Sequence, residues 1–115
     1  MLDDAKLSAW VKKFQTRWGS PPSDYAITSY DAALVVLAAI ATVAKSGKPV
    51  DRGAVRDAIQ AGRVDTLQGE LSFDANGDLS EHIVSVFQVK QDTAYPVNDV
   101  VHQFKYIGVA PAGTT

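Results

Sequence analysis

Residues 64–79, which read VDTLQGELSFDANGDL, contain the change of pattern that decides how the chain folds. From Leu67 to Phe73, apolar or small residues alternate with polar ones, a repeat typical of a half-buried strand. The DANGD segment that follows carries turn-forming residues and an Asn-Gly pair that accepts positive φ. We therefore predict a strand over residues 67–73 and a tight turn over residues 74–78.

Upstream of this stretch the apolar residues recur at helical spacing. The pattern predicts three helices, over residues 3–18, 23–44 and 51–61. Gly19 and Gly62 are expected just beyond the ends of the first and third helices, where glycine commonly stops a helix. Asp51 is the expected N-cap of the third helix. Asp3 and Asp4 are expected to accept hydrogen bonds from the first turn of the first helix.

Downstream of the turn, residues 83–90 place apolar side chains on both faces of a second predicted strand, which indicates that both faces are covered. Residues 100–109 offer a possible third strand. Three helices followed by two or three strands would form an α+β domain if the chain were a complete design.

The second predicted helix contains a run of thirteen residues, Ala32–Ala44, that is apolar on every face. The run is shorter than the roughly 20 residues that cross a bilayer, so we interpret it as a helix packed between other layers. The predicted strands and amphipathic helices offer too little cover for it. We therefore expect a homodimer or higher oligomer that buries the surface formed by Leu34, Leu37, Ile40, Val86 and Val89.

The composition excludes several classes of function. The chain has 115 residues, 46% of them hydrophobic, which is typical of one folded domain. It contains no Cys, so thiolate catalysis, zinc–cysteine sites and iron–sulfur clusters are excluded. A net charge of −2 argues against a nucleic-acid partner. The acidic start, MLDD, does not resemble a secretory leader, and we expect no signal peptide in this chain.

Five pieces of sequence, in order along the chain, resemble the C-terminal region of type I periplasmic binding proteins of the branched-chain amino acid kind. They are a helix end at residues 14–19, a Tyr-x-x-x-x-Tyr-Asp-Ala helix at 25–37, Val-Arg-Asp-Ala-Ile at 55–59, the stretch 64–79, and Val-Phe-Gln-Val-Lys at 86–90. No single piece is specific, but their shared order across nearly the whole chain is.

The resemblance implies an α/β fold with two hinged lobes that close on a small amino acid or amide and deliver it to the membrane subunits of an ABC importer. It implies a periplasmic or extracytoplasmic protein that is not an enzyme and has no cofactor. Residues 1–84 would belong to the first lobe, and residues 85–115 would form a hinge-crossing strand and the tail of the second lobe. The alternative is a self-associating structural or interaction module that binds no ligand by itself.

Tyr25 is the residue that the resemblance assigns to the ligand, because the family places an aromatic residue at the start of this helix near the crevice. Its ring would cover an aliphatic side chain; alternatively, it packs the entry of the helix. Asp31 is either a crevice carboxylate or, as we favour, a solvated or salt-bridged residue at the margin of the helix.

No catalytic or metal site is predicted. Asp74, Asn76 and Asp78 alternate like the start of an EF-hand loop, but the Gly is fourth instead of sixth, so a tight turn is favoured. His82 and His102 fit no metal-ligand spacing and no Ser/His/Asp pattern. The two tryptophans, Trp10 and Trp18, are expected to flank the apolar face of the first helix, as core residues more than as a stacking platform.

Overall fold

The computed structural model describes residues 5–81 and 83–110, which form two compact units divided near residue 82. Three long helices come first and strands follow, so the predicted mixture of helices and strands is confirmed. In chain order the elements are α1 (Ala5–Trp18), α2 (Asp24–Lys45), α3 (Arg52–Ala61), β1 (Val64–Thr66), β2 (Gly69–Leu71), β3 (Ser85–Val89), α4 (Val100–Gln103) and β4 (Phe104–Val109).

The predicted helix ends agree closely with the structure. Gly19 follows α1 with a φ of 75°, a conformation that glycine adopts without strain. Asp51 is the N-cap of α3, and its Oδ1 accepts a hydrogen bond from the backbone N–H of Ala54 at 2.8 Å. Gly62 is the C-cap of α3 and donates its N–H to the carbonyl of Ile59. Asp3 and Asp4 lie outside the described residues.

The prediction of one continuous strand over residues 67–73 is wrong in detail. The chain forms a hairpin instead, in which β1 pairs with β2 in antiparallel register. Two local features reverse the chain: Gly69 has a φ of 109°, and the Thr66 hydroxyl donates to the Gly69 carbonyl at 2.8 Å. The same hydroxyl oxygen accepts from the backbone N–H of Gln68 at 3.2 Å. Side-chain alternation therefore located extended chain correctly but missed the turn inside it.

The predicted turn over residues 74–78 is confirmed. Asp74 Oδ1 accepts from the backbone N–H groups of Asn76 and Asp78 at 2.8 and 3.0 Å. Gly77 takes a φ of 86°, and Phe73 and Leu79 form a β-bridge on either side of the turn. The Asp74 carboxylate thus accepts hydrogen bonds from two backbone N–H groups of the segment, and this acidic stretch forms a tight turn as the sequence indicated.

The apolar core of the first unit lies on one face of α2. Asp31, Val35, Ala39 and Val43 are buried, spaced four residues apart on the side where α2 packs against α3 and β1. By length and composition alone, the helix is apolar enough to cross a membrane. The expectation that it is covered on every face is not met within the described chain, because Leu37 on another face is 61% exposed.

The second unit is a two-stranded antiparallel sheet with a helical turn before its last strand. β3 pairs with β4, and the register shifts between Val86 and Phe87. The strand predicted over 83–90 is thus confirmed as β3, although all five of its residues are exposed in the described chain. The possible strand over 100–109 begins only at Phe104. The residues just before Phe104 form α4 instead. Asp99 caps this helix by accepting a hydrogen bond from the His102 N–H at 3.3 Å.

Candidate functional site

Tyr25, the predicted ligand contact, lies in the first turn of α2. The helix begins after Ser23, whose backbone is extended and whose side chain makes no cap hydrogen bond. The Tyr25 side chain is 81% exposed, so it does not pack the entry of the helix. An exposed phenol presents both an apolar ring and a polar tip, the combination that suits contact with a small ligand or a second polypeptide segment.

Asp31 lies one and a half turns further along α2 and is 1% exposed, so the expectation of a solvated or salt-bridged residue is wrong. Its Oδ1 accepts from the backbone N–H of Leu67 at 3.0 Å. Its Oδ2 accepts from the backbone N–H and the Nε2 of Gln68, at 3.2 and 3.0 Å. The carboxylate is buried because three donors at the tip of the β1–β2 hairpin replace its water.

A second contact holds the same hairpin to α1. The Lys6 ammonium donates to Asp65 Oδ2 at 2.8 Å and to the carbonyl of Thr66 at 2.9 Å. Thr66 itself is 1% exposed. The hairpin is therefore fixed from two helices through its polar groups. All three hydrogen bonds described for Asp31 come from the hairpin, so this carboxylate positions the hairpin backbone.

Aromatic rings extend this packing along α1. Trp10 lies against Phe14 and against Tyr30 of α2, with ring centroids 5.3 and 5.2 Å apart. Phe14 also approaches Trp18 at 6.4 Å. The prediction that both tryptophans flank the core holds for Trp10, which is half-buried, and fails for Trp18, which is 63% exposed. The Arg17 guanidinium lies 5.2 Å from the centre of the Trp18 ring.

In the second unit, His102 belongs to a local structural cluster. Its Nδ1 lies 2.8 Å from Asp99 Oδ2, and its ring stacks on Tyr95 with centroids 3.6 Å apart. An Asp–His pair orients an imidazole, but here the ring lies flat against a tyrosine, with no nucleophile among its described partners. His82 lies outside the described residues.

Gln103 ties the loop before α4 to the sheet, a role that the sequence did not indicate. It is 6% exposed; its Oε1 accepts from the Asp92 N–H at 2.9 Å. Its Nε2 donates to the carbonyls of Asp92, Tyr95 and Pro96 at 2.8, 3.1 and 3.3 Å. One amide side chain thus adds four hydrogen bonds to a loop that also has backbone hydrogen bonds of its own. Among the described residues no group of three or more His, Asp or Glu could hold a metal ion.

The comparisons with known proteins agree with this architecture of hairpin, long apolar helix and separate strand pair. The sequence profile of a family described as "Periplasmic binding protein" matches residues 1–94. The chain belongs to the periplasmic binding protein family. A comparison with curated protein sequences found no match.

Solved structures show the same fold at low sequence identity. A leucine-binding protein, LivK, from Thermotoga maritima matches 93% of this chain with a TM-score of 0.63 and 22% identity. An ABC transporter solute-binding protein from R. palustris, in complex with benzoate, matches 94% with a TM-score of 0.64 and 20% identity. An ABC transporter substrate-binding protein from Desulfitobacterium hafniense, in complex with Leu, matches 91% with a TM-score of 0.63 and 21% identity.

The chain spans about a quarter of the length of these proteins: 27%, 26% and 28% respectively. The periplasmic-binding-protein fold expected from the resemblance is therefore confirmed, as part of that larger fold. The family is one of solute-binding proteins and not of enzymes. Its members act with ABC transporters, which gives the family a small ligand and membrane partners.

Proposed function

We propose that this chain is the C-terminal portion of an extracytoplasmic solute-binding protein that closes two lobes on a small ligand and delivers it to an ABC importer. The observation that carries the proposal is the family match over residues 1–94, which includes all three long helices and the β1–β2 hairpin. Residues 1–84 would then belong to the first lobe and residues 85–115 to a hinge strand and the tail of the second.

The proposed ligand is a branched-chain amino acid or a related small amino acid or amide. Of the three similar structures, one is a leucine-binding protein, one is a complex with leucine, and the third is a complex with benzoate. Leucine and benzoate share a carboxylate attached to a compact apolar body. A site that combines an apolar surface with a few fixed polar groups suits such a ligand.

Tyr25 is the residue of this chain that we assign to the ligand. Its ring is exposed at the beginning of α2, and α2 is anchored through Asp31 and the packed face around Val35. An exposed aromatic group on a fixed helix covers an aliphatic side chain at little entropic cost. One such contact supplies a small part of the binding energy, so the remaining contacts must come from other segments of the two-lobed protein.

A chimera tests the proposal directly. This chain would replace the matching quarter of the Thermotoga maritima leucine-binding protein, and binding of leucine, valine, benzoate and small amides would be measured by calorimetry. We expect binding of one of them to survive in the chimera and to weaken about tenfold with Tyr25→Ala, but not with Tyr95→Ala as the control. A folded chimera that binds none of these ligands would contradict the proposal.

The second candidate function is a self-associating structural or interaction module without a ligand of its own. The observation that favours it is the exposed apolar surface. In the described part of the chain, twenty large hydrophobic residues are exposed, whereas five hydrophobic residues are buried. Exposed apolar surface on this scale is typical of chains that bury it against another polypeptide.

A further inference from the structure

Asn76 and Gly77 lie in the turn at residues 74–78, and together they contain a reactive pair of groups. The Asn76 side chain ends in a carboxamide, which has an electrophilic carbon and ammonia as its leaving group. The next residue supplies a nucleophile, its backbone nitrogen. Glycine hinders the approach of this nitrogen least, because it has no Cβ. Both residues are exposed in the described chain.

We propose that Asn76 is a site of spontaneous covalent modification, at which the backbone nitrogen of Gly77 attacks the side chain. Asp74 and Gln60 hold this site closed while the chain is folded. Neither ligand binding nor self-association is needed for the reaction or for its suppression.

The reaction consumes water and releases ammonia. The Gly77 nitrogen loses its proton to hydroxide and forms a bond to Cγ of Asn76. The Cγ–Nδ2 bond then breaks, and the leaving nitrogen takes a proton from water and departs as ammonia. Water opens the resulting cyclic imide at either carbonyl group. The products are Asp at position 76 and its isomer, in which the main chain runs through the former side-chain carbon.

The folded turn opposes the first step of this reaction. The Gly77 N–H donates to the carbonyl oxygen of Asp74 at 3.1 Å. A hydrogen bond to the protonated form makes loss of that proton less favourable. The same bond fixes the peptide unit between Asn76 and Gly77, whereas ring closure requires this unit to rotate toward the Asn76 side chain.

The neighbouring peptide units are held by the same aspartate. Asp74 Oδ1 accepts from the backbone N–H groups of Asn76 and Asp78 at 2.8 and 3.0 Å. The Asp74 N–H donates to the carbonyl of Asp78 at 2.8 Å. Three consecutive N–H groups, at residues 76–78, therefore have Asp74 as their acceptor, and all three hydrogen bonds resist the rotation that ring closure needs.

A contact from α3 supports the oxygen that binds the Gly77 N–H. Gln60 Nε2 donates to this carbonyl oxygen of Asp74, and at 3.5 Å to that of Phe73. Phe73 and Leu79 form the β-bridge that joins the two ends of the turn. All of these contacts lie within residues 60–79, so none of them requires another segment of a two-lobed protein.

The modification would damage the turn that suppresses it. Either product adds a negative charge between Asp74 and Asp78, where like charges repel. The isomer also lengthens the main chain by one methylene group, which does not fit the spacing of the bridge between Phe73 and Leu79. A chain that opens and reacts would therefore not close again in the same geometry, so the extent of reaction records how long the turn has been open.

Mass spectrometry of the 115-residue chain, incubated in mildly alkaline buffer with and without guanidinium chloride, measures the reaction. Replacement of the amide NH₂ by OH raises the peptide mass, and a sample taken at the start corrects for handling. The chain contains two asparagines, Asn76 and Asn98. Trypsin separates them, because cleavage after Arg63, Lys90 and Lys105 leaves one asparagine in each peptide.

We expect Asn76 to react on the order of a hundredfold more slowly in the folded chain than in the unfolded chain, because the four hydrogen bonds described between Asp74 and residues 76–78 must open first. Asn98 is the internal control. It precedes Asp99, whose side chain hinders the attacking nitrogen, so it should react slowly in both states. The proposal is wrong if Asn76 reacts no faster than Asn98 in the unfolded chain, or equally fast in both states.

Variants test which contacts close the site. Asp74→Ala removes the acceptor of two N–H groups and should accelerate the reaction of the folded chain about tenfold. Asp74→Asn keeps an acceptor oxygen without the charge and should react at nearly the wild-type rate; fragment masses separate position 74 from Asn76. Equal acceleration by the two variants would overturn the role of the hydrogen bonds.

Gln60→Ala tests the contact from α3 and should accelerate the reaction about threefold. Tryptophan fluorescence must show that the first unit is folded in each variant, and Gln60→Ala provides the test alone if Asp74→Ala does not fold. No acceleration in a folded Asp74→Ala or Gln60→Ala chain would refute the role of that residue in closing the site.

Discussion

Each of the two units of the chain is stabilised internally by a different kind of contact. In residues 5–81, the buried hydrophobic residues gather around one face of α2, with Val35, Ala39 and Val43 at their centre. Among those residues of 83–110 whose burial the structure describes, the buried one is polar: Gln103, which binds a loop through four hydrogen bonds. The first unit is stabilised by an apolar core. In the second unit the described contacts are strand pairing, the ring contacts Phe87–Tyr106 and Tyr95–His102, and the hydrogen bonds of Gln103.

The largest effect is expected from removing the carboxylate that joins α2 to the hairpin. Asp31→Ala leaves the buried backbone N–H of Leu67 without its acceptor and removes one of the two acceptors of the Gln68 N–H, at a cost of about 3 kcal/mol in the free energy of unfolding. Both tryptophans lie in the first unit, so urea unfolding followed by tryptophan fluorescence measures this unit selectively.

Asp31→Asn serves as its control. The amide oxygen still accepts one or two of the hydrogen bonds, so the loss should be about half as large. Equal losses for the two variants would show that charge, and not the number of acceptor atoms, holds the hairpin. A loss below 1 kcal/mol for Asp31→Ala would contradict the role of this residue as the main link.

Asp31 also shows where sequence reasoning stopped. Asp51 was predicted correctly as a cap because its partner, Ala54, lies three residues away. The partners of Asp31 lie 36 and 37 residues away, and no local rule brings them together. One signal was present: Asp31 is four residues before Val35, in phase with the buried stripe of α2. A polar residue at a core position predicts a buried partner, even when the partner cannot be named.

The same contrast between local and distant contacts separates the parts of the fold that the sequence predicted from those that it did not. Helix ends and the turn at residues 74–78 follow from nearby residues and were predicted well. The hairpin was missed because its reversal depends on a positive φ at Gly69 and a hydroxyl bond from Thr66, which the two-residue alternation hides. The surroundings of Tyr25 could not be predicted either, since the helical pattern places the residue but says nothing about what covers its ring.

The second prediction tests the polar unit. Gln103→Ala removes four hydrogen bonds to the loop at Asp92–Pro96, and we expect a local loss of about 2 kcal/mol. Hydrogen exchange measured by mass spectrometry should accelerate in residues 85–110, while tryptophan fluorescence of the first unit stays unchanged. Gln103→Glu, which keeps the acceptor and loses the donors, should accelerate exchange to an intermediate extent. A simultaneous loss in the first unit would show that the two units unfold together.

A smaller effect should distinguish the two helix caps of the first unit. Asp51→Ala removes the side-chain acceptor at the start of α3 and should lower stability by about 1 kcal/mol. Ser23→Ala at the start of α2 is the matched control, because Ser23 makes no cap hydrogen bond; it should cost at most about 0.3 kcal/mol. Both changes are read by urea unfolding, and equal losses would mean that the Asp51 bond contributes nothing specific.

The smallest effect on stability is expected at the proposed ligand contact. Tyr25 is 81% exposed, so Tyr25→Ala should change the unfolding free energy by less than about 0.5 kcal/mol. Calorimetry of the wild-type chain with leucine, isoleucine and valine should give dissociation constants of about 1 mM or weaker, because a single exposed ring cannot offset the entropy lost on binding. Taken together, these two results would show that the Tyr25 ring contributes little to the stability of the fold and is available to contact a ligand once other segments supply further contacts. Micromolar binding by this chain alone would instead place most of the ligand contacts within these residues, and a large stability loss on Tyr25→Ala would make the ring part of the fold.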